Sequence, residues 1–208
     1  MTASGLGAIL LAGGRGARVG GAVKPLFVVE GRTLLAATVT AVRDAGARPI
    51  TVAAEVLDPD LDVEWVREEE PFGGPVAGTV AVLDAWTASS VRPEWTLLLA
   101  CDLPRVSEAV ARLAADLPLL PADSDGICLG DASSRPQWLT GIYRTESLRK
   151  AAASLPDRGR NAAVRALVHD LAVTVVVVSG DLTDDIDTWE DLERARMRAA
   201  NPPIEEVP

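Results

Sequence analysis

Short apolar segments alternate with segments of helical periodicity along most of the 208 residues. This alternation is typical of a mostly parallel sheet covered on both faces by crossover helices. The sequence therefore predicts the α/β class, as a Rossmann-like three-layer sandwich. The predicted strands are 8–11, 50–53, 64–66, 96–100, 127–129, 139–143 and 173–178. The predicted helices are 33–45, 75–88, 107–117, 145–155, 162–170 and one from 187 or 188 to about 200.

Length and charge narrow the class of protein further. We expect one domain over residues 1–208, with a core over about 7–200 and a loose tail over 201–208. The net charge of -10 disfavours nucleic acid or an anionic membrane as a partner, because such surfaces neutralise phosphate with cations. Cys101 and Cys128 lack the spacing of a disulfide framework or a zinc site. No signal segment or membrane-spanning apolar run is visible, so a cytoplasmic location is predicted.

The first predicted strand runs into a glycine-rich segment, LAGGRGARVGGAVKP, at residues 11–25. It is not a Rossmann fingerprint, because its third glycine comes one residue too late, and alanine replaces the lysine that a Walker A loop needs. Glycines let successive amides face one anion, and the cations Arg15, Arg18 and Lys24 surround them. Ligands of open α/β sheets bind at the carboxyl ends of strands, so the segment is predicted to hold phosphate. For the glycines alone, a turn without a ligand is the alternative.

A second apolar strand delivers Asp102 to its carboxyl end, within the sequence LLLACDLP. A carboxylate at that place can bind Mg²⁺, a hard cation that prefers oxygen ligands and can also hold nucleotide phosphates. The alternative is that Asp102 only caps a turn. Cys101 is expected to pack beneath it. His169 is the one histidine and is expected on the surface, so a Ser-His-Asp or Cys-His mechanism is not predicted.

The glycine-rich segment resembles the signature loop of the sugar-nucleotide and cofactor nucleotidyltransferases, L-A-G-G-x-x-x-R-M-G-x-x-K. Within that group it most resembles the MobA-like molybdenum cofactor guanylyltransferases, and the resemblance extends from Ala8 to about Arg196. It implies the nucleotide-diphospho-sugar transferase fold. It also implies that Arg18 binds the β- and γ-phosphates, Lys24 the α-phosphate, and Asp102 Mg²⁺. The loop residues that would wrap the triphosphate are Leu11, Ala12, Gly13, Gly14 and Arg15.

The segment VREEEPFGGPVAG resembles the family's REDPPGGGPVAG, which precedes a helix. Glycine before Pro75 lets the backbone approach a base or ribose, and proline suits the first position of a helix. Alignment on Gly74 places Glu69 where the family has an aspartate that contacts the nucleoside. Glu68 or Glu70 is the alternative residue for contact with the nucleoside. For these two residues, an acidic run that only faces solvent is the other interpretation.

The sequence DIDTWEDL near the end is similar to the family's closing motif NVNTPEDL. The resemblance implies that Asp187, or Asp185, completes the Mg²⁺ site, while Asp187 or Thr188 could cap the last helix. The segment RPQWLTGIYR is similar to the family's strand on the acceptor side. Further candidates near the acceptor are Arg135, Gln137, Arg158, Arg160 and Asn161.

The chain departs from the family pattern in two places. Val23 stands where many relatives have aspartate before the signature lysine, which bears on how Lys24 is held. Ala53 and Ala54 stand where guanylyltransferases often have asparagine near the base, so guanine is less firmly implied than nucleotide binding itself.

The resemblance implies transfer of GMP from GTP to the phosphate of molybdopterin, with Mg²⁺ as cofactor and release of pyrophosphate. The acceptor phosphate is itself the nucleophile, so the protein must align and neutralise charge rather than supply a nucleophile. A cytidylyltransferase of the same cofactor, a sugar-phosphate nucleotidyltransferase and a nucleotide-binding regulatory protein are the alternatives. The expected partners are GTP or another nucleoside triphosphate, a molybdopterin-type acceptor and, weakly, molybdoenzyme maturation proteins.

Overall fold

A computed structural model describes residues 5–14 and 17–200 of the chain. The predicted tail over 201–208 lies outside the described residues. The strands are β1 (Leu6–Leu11), β2 (Val28–Val29), β3 (Arg32–Thr33), β4 (Ile50–Ala53), β5 (Glu64–Val66), β6 (Trp95–Ala100), β7 (Gly126–Gly130), β8 (Pro136–Arg144) and β9 (Val173–Val177). The α-helices are α1 (Leu34–Asp44), α2 (Pro75–Ala88), α3 (Val106–Asp116), α4 (Thr145–Ser154), α5 (Val164–Val168) and α6 (Trp189–Ala200).

Seven strands of the described chain form one sheet, in the order β5-β4-β1-β6-β8-β7-β9. β8 runs antiparallel to its neighbours β6 and β7, and the remaining pairs are parallel. Leu11 at the end of β1 is paired with Ala53 on one side and with Ala100 on the other. The chain segments that follow β1, β4 and β6 therefore leave the sheet at one edge, where ligands of open α/β sheets bind.

Helices cover both faces of the sheet. α1 and α3 pack on one face, against side chains such as Leu97 and Leu99 of β6. α2, α4 and α5 pack on the other face, where Leu98 joins Trp86 of α2. Neighbouring residues of β6 point to opposite faces, as a strand requires, and a strand buried on both sides is apolar throughout. The predicted α/β class with a mostly parallel sheet is confirmed.

A third, smaller apolar cluster lies beside the sheet edge that carries the candidate site. It joins Val19 and Phe27 from the first part of the chain to Ile186 and Leu192 from the last part, with Leu34 of α1 between them. The ring of Trp189 also lies 5.0 Å from that of Phe27. These contacts dock the segment before α6 against the glycine-rich segment, although more than 160 residues separate the two in sequence.

The predicted elements agree with the structure except at their ends. Thr33 precedes α1 as its cap, because its Oγ1 accepts a hydrogen bond from the backbone nitrogen of Ala36 at 3.1 Å. β8 is longer than predicted, and its register against β7 shifts between Cys128 and Leu129. The β2–β3 hairpin was not predicted, because its turn uses Glu30 and Gly31 with positive φ rather than the usual Asn-Gly. No helix of the described residues is long and apolar enough to cross a membrane.

Candidate active site

The glycine-rich segment forms one wall of a cavity of about 370 Å³ at the carboxyl edge of the sheet. The predicted backbone residues that line it are Leu11, Ala12, Gly13 and Gly14. The predicted charged residues that line it are Arg18, Lys24, Asp102 and Asp187. Arg15, which the sequence also predicted here, lies outside the described residues. The structure thus brings together three segments that are far apart in sequence: the loop after β1, the end of β6 and the segment before α6.

Lys24 begins a short 3₁₀ turn, Lys24–Leu26, and its side chain is only 17% exposed. Its Nζ donates a hydrogen bond to Oδ1 of Asp187 at 2.5 Å. Arg18, which is far more exposed, donates to the other oxygen of the same carboxylate. The hydrogen bond from Lys24 is the main reason that the pKa of Asp187 lies below its usual value. Asp187 is therefore the common counterion of two cations in the cavity, a contact that the sequence did not predict.

Asp102 is the second residue after β6, and its backbone oxygen accepts a hydrogen bond from the nitrogen of Ile186 at 3.0 Å. The pKa of Asp102 is raised to about 6, chiefly by burial of the carboxyl group and next by the negative charge of Asp185, against the opposing effect of Lys24. Burial, followed by the charge of Asp187, also raises the pKa of Asp185. Asp102, which lines the cavity, therefore lies near carboxylates whose negative charges destabilise its own charged form.

This arrangement fits a divalent cation at Asp102. A hard cation prefers carboxylate oxygens, and it would relieve the repulsion between Asp102 and Asp185. The described chain has no group of three or more His, Cys, Asp or Glu side chains placed to hold a metal ion by themselves. The Asp187 carboxylate, for which the resemblance implied metal binding, accepts hydrogen bonds from Lys24 and Arg18. Oxygens of a bound substrate would be needed to complete the coordination.

Cys101 and His169 lie where the sequence predicted. Cys101 is buried at the base of the cavity, and burial raises the pKa of its thiol well above the usual value. His169 is exposed, next to Asp170. A buried neutral thiol is a poor nucleophile, and an exposed imidazole away from the cavity cannot act as its base.

A second cavity of about 370 Å³ adjoins the first, because Leu11, Ala12, Gly13, Gly14 and Val23 line both. Small residues of β4 and α2 give it depth. A Cβ atom on Gly78 would lie 3.3 Å from that of Ala53 and 3.5 Å from Cδ2 of Leu11. Phe72, which is 57% exposed and has a φ of 65°, forms part of its wall. A bulky residue with positive φ is strained, and such strain is typical of functional sites.

Of the three glutamates before α2, Glu68 to Glu70, one lines the second cavity and the other two are exposed to solvent. Glu68 lines the cavity, and its Oε1 accepts a hydrogen bond from the nitrogen of Gly73 at 2.9 Å. Glu69 is exposed and is not among the residues that line either cavity. Glu70 pairs with Arg160 at 3.1 Å. Side chains on an extended segment alternate in direction, so alignment on Gly74 alone could not tell which glutamate faces inwards.

The glycine pair before α2 adopts the geometry that the sequence predicted. Gly74, with φ 92° and ψ 177°, precedes the helix, and Pro75 takes its first position. The carbonyl oxygen of Gly73 accepts a hydrogen bond from the nitrogen of Asn161 at 2.6 Å. The loop that carries the predicted acceptor residues therefore lies against the second cavity's wall.

The other predicted acceptor residues have structural partners. Arg158 pairs with Asp84 of α2 at 2.5 Å. Gln137 lies at the start of β8 and donates to Asp131 at 3.3 Å, and neither Gln137 nor Arg135 lines the two cavities. Asp131 also accepts a hydrogen bond from the backbone nitrogen of Arg135, so these residues shape the hairpin between β7 and β8.

Residues 8–184 match the MobA-like NTP transferase domain family. The chain belongs to this family. It is 31% identical over 205 residues to a probable molybdenum cofactor guanylyltransferase of Opitutus terrae, covering 95% of this chain and 98% of that protein. It is 34% identical over 207 residues to a molybdenum cofactor guanylyltransferase of a Bradyrhizobium species, covering 92% of each. As a member of the family, the protein is a nucleotidyltransferase.

Solved structures share the fold at lower identity. Molybdopterin-guanine dinucleotide biosynthesis protein A of Archaeoglobus fulgidus is similar, with a TM-score of 0.66 and 18% identity, over 93% of this chain and 98% of that chain. A Mycobacterium tuberculosis protein solved in complex with manganese is similar, with a TM-score of 0.60 and 22% identity, over 93% and 98%. These likenesses confirm the fold class. Nucleotidyltransferases of this kind typically depend on a divalent metal ion.

Proposed function

We propose that this family member is an Mg²⁺-dependent guanylyltransferase that transfers GMP from GTP to the phosphate of molybdopterin. The observation that carries the proposal is the pair of cavities joined along Gly13, Gly14 and Val23. One cavity is rich in charge, as a triphosphate and a cation require, and the other has apolar and small walls, as a nucleoside requires. The names of the Opitutus terrae and Bradyrhizobium relatives support the same nucleotide and acceptor.

In the proposed reaction an oxygen of the acceptor phosphate attacks the α-phosphorus of GTP. The bond between that phosphorus and the pyrophosphate oxygen breaks, and pyrophosphate leaves with the electron pair. Backbone amides of Gly13 and Gly14 and the side chain of Arg18 hold the β- and γ-phosphates, and Lys24 neutralises charge at the α-phosphate. No protein nucleophile takes part, which agrees with the buried thiol of Cys101.

Asp102, with Asp185 as the second carboxylate, would hold Mg²⁺. When bound, Mg²⁺ supplies neutralisation of the charge on the phosphate oxygens and helps pyrophosphate to leave. The protein's own part is to keep Asp102 in place, through the pairing of β6 with β1 and through the hydrogen bond between its carbonyl and Ile186. Mg²⁺ is proposed over softer metal ions because the side chains offered are hard oxygen donors.

Glu68 is the residue we propose for recognition of the base. The Watson–Crick edge of guanine presents two N–H donors side by side, and one carboxylate can accept from both. Cytosine presents an amine next to acceptor atoms, which a carboxylate repels. Since Glu68 lines the second cavity and Oε1 is fixed by Gly73, a guanine nucleotide is favoured even though Ala53 and Ala54 replace asparagine.

Replacement of Glu68 tests this assignment. Glu68→Gln is expected to raise the Kd of GTP about tenfold or more, because an amide cannot accept from both donors and a lost hydrogen bond to a charged group costs about 1.5–3 kcal/mol. Glu69→Gln is expected to leave it near the wild-type value. Both are measured by calorimetric titration with GTP and with CTP. The reverse pattern would return the role to Glu69.

The reaction itself is tested by pyrophosphate release. The purified protein with Mg²⁺ is incubated with GTP and molybdopterin, and in parallel with CTP and molybdopterin and with GTP and sugar phosphates. Release with the first pair alone is the expected result. Release with CTP would indicate the cytidylyltransferase of the same cofactor, release with a sugar phosphate would indicate a sugar-phosphate nucleotidyltransferase, and GTP binding without any release would indicate a regulatory protein.

A further inference from the structure

Asp187 is held more firmly than an exposed loop carboxylate would be. Ile186 beside it is buried in the third apolar cluster and donates its backbone hydrogen to the carbonyl of Asp102. The nitrogen of Asp187 donates to Oδ2 of Asp191 at 3.0 Å, and the nitrogen of Thr188 donates to the same oxygen at 2.7 Å. The backbone at Asp187 is thus fixed on both sides, and its carboxylate is aimed at the cations of the first cavity.

The two cations differ in how strongly they need this counterion. The side chain of Lys24 is 17% exposed, and a charge that has lost most of its water needs a partner. Arg18 is 71% exposed, and a pair at such a surface contributes little. Val23, next to Lys24 in the chain, is apolar and offers no charge, so among the described contacts Asp187 supplies the counterion of Lys24.

We propose that Asp187 is a positioning residue that stands in for a phosphate oxygen. Its two oxygens hold Lys24 and Arg18 in the cavity before the nucleotide arrives. On binding, Arg18 transfers to the triphosphate, whereas Lys24, whose ammonium has three N–H donors, keeps its hydrogen bond to Asp187 and donates to a phosphate oxygen as well. This inference rests on the proposed function, because it takes the first cavity as the triphosphate site. Asp187 has opposite effects on the two stages: its charge competes with the phosphates for the cations, and its hydrogen bond keeps Lys24 oriented for the reaction.

These opposite effects predict a split between affinity and turnover in Asp187→Asn. Loss of the competing charge is expected to tighten GTP binding without metal about five- to tenfold, which is the scale of about 1 kcal/mol. Loss of the fixed orientation of Lys24 is expected to lower kcat about tenfold. A ligand of Mg²⁺ would behave differently, because its loss would chiefly raise the Mg²⁺ concentration needed for half-maximal rate.

The chain offers a matched control for this experiment. Asp184 lies three residues earlier in the same segment, is exposed and pairs with Arg198 at 3.3 Å. Asp184→Asn therefore removes the same charge from the same segment without touching the cavity. GTP affinity of the wild type and of both variants is measured by calorimetry in EDTA, and kcat is then measured over a range of Mg²⁺ concentrations. Circular dichroism confirms that each variant is folded.

A tighter metal-free affinity in Asp187→Asn, but not in Asp184→Asn, supports the proposal. It is overturned if the affinity of Asp187→Asn is unchanged or weaker, if both variants change alike, or if Asp187→Asn chiefly shifts the Mg²⁺ requirement. A double variant with Lys24→Gln adds a second readout, because Asp187→Asn should improve affinity less once Lys24, one of its two partners, has lost its charge. Wild-type protein that binds GTP but releases no pyrophosphate would refute the proposed reaction. The comparison of GTP affinities would still test the role of Asp187, because it does not depend on turnover.

Discussion

Lys24 carries the positive charge that lies deepest in the first cavity, with its side chain 17% exposed. Lys24→Ala is expected to lower kcat/KM by about 10²–10³, because a group that stabilises charge in a transition state typically contributes that much. Lys150 on α4 is the matched control, because its side chain is 76% exposed and its Nζ makes only a long ion pair, at 3.9 Å, with Oε1 of Glu146. Lys150→Ala should therefore leave kcat/KM unchanged. Pyrophosphate release and a thermal melt of each variant check this. Equal rates in both variants would contradict a role for Lys24.

Residues that lie together in sequence were predictable, and residues that meet through the fold were not. The phosphate loop and Asp102 each follow an apolar strand, so local pattern was enough to place Lys24 and Asp102 at the same edge of the sheet. The contact between Asp187 and Lys24 spans 163 residues and depends on how Ile186 packs, which no local pattern reports. Likewise, only the geometry beyond β5 decides that Glu68 rather than Glu69 lines the second cavity.

At the scale of elements, the ends of helices determine which groups face the site. α6 begins after Thr188, whose Oγ1 accepts from the nitrogen of Asp191 at 3.2 Å, while Asp191 accepts from the nitrogen of Thr188. This reciprocal pair is a capping box, with aspartate in place of the usual glutamate. The sequence left Asp187 and Thr188 as alternative caps. The structure assigns the cap to Thr188, which leaves the side chain of Asp187 available to the cavity.

The start of α2 depends on a conformation that few residues other than glycine adopt. Gly74 combines a φ of 92° with a ψ of 177°, and a Cβ atom there would meet nothing within 4 Å. Gly74→Ala should therefore destabilise the protein through backbone strain alone, by about 1–3 kcal/mol. The free energy of unfolding from urea titration measures this loss. A variant as stable as the wild type would show that the segment before α2 can relax into another conformation.

At the scale of the whole molecule, the alternation of apolar strands and helices in the sequence predicted the α/β fold class but did not predict the direction of every strand. β8 is antiparallel to both neighbours, because β7 and β8 form a hairpin closed by the loop around Asp131. Its apolar pattern resembles that of a parallel strand, so direction could not be predicted from composition. The same limit applies to the third apolar cluster, which packs Val19 and Phe27 against Ile186 and Leu192 and so brings the segment before α6 to the first cavity.

Asp125 ties three separate parts of the molecule together and gives folding a pH dependence. Its carboxylate accepts hydrogen bonds from Ser147 Oγ of α4 at 2.6 Å and from the nitrogen of Ala172, just before β9, at 2.9 Å. These two hydrogen bonds lower the pKa of Asp125 below its usual value, and the bond from Ser147 has the larger effect. A carboxyl group whose pKa is lower in the folded than in the unfolded state stabilises the fold above the unfolded pKa of about 3.9. That contribution is lost as the pH falls through the folded pKa.

Asp125→Asn should therefore cost about 1–2 kcal/mol at pH 7, where the charged acceptor is replaced by a neutral one. The difference between wild type and variant should shrink as the pH falls below about 4, because protonated aspartic acid and asparagine are then both neutral. Asp123→Asn, at an exposed position two residues earlier, is the control and should follow the wild type. Urea unfolding of all three proteins between pH 7 and pH 3 measures the effect. A stability gap that stays constant over this range would mean that the charge of Asp125 contributes nothing and that its shape alone joins α4 to β9.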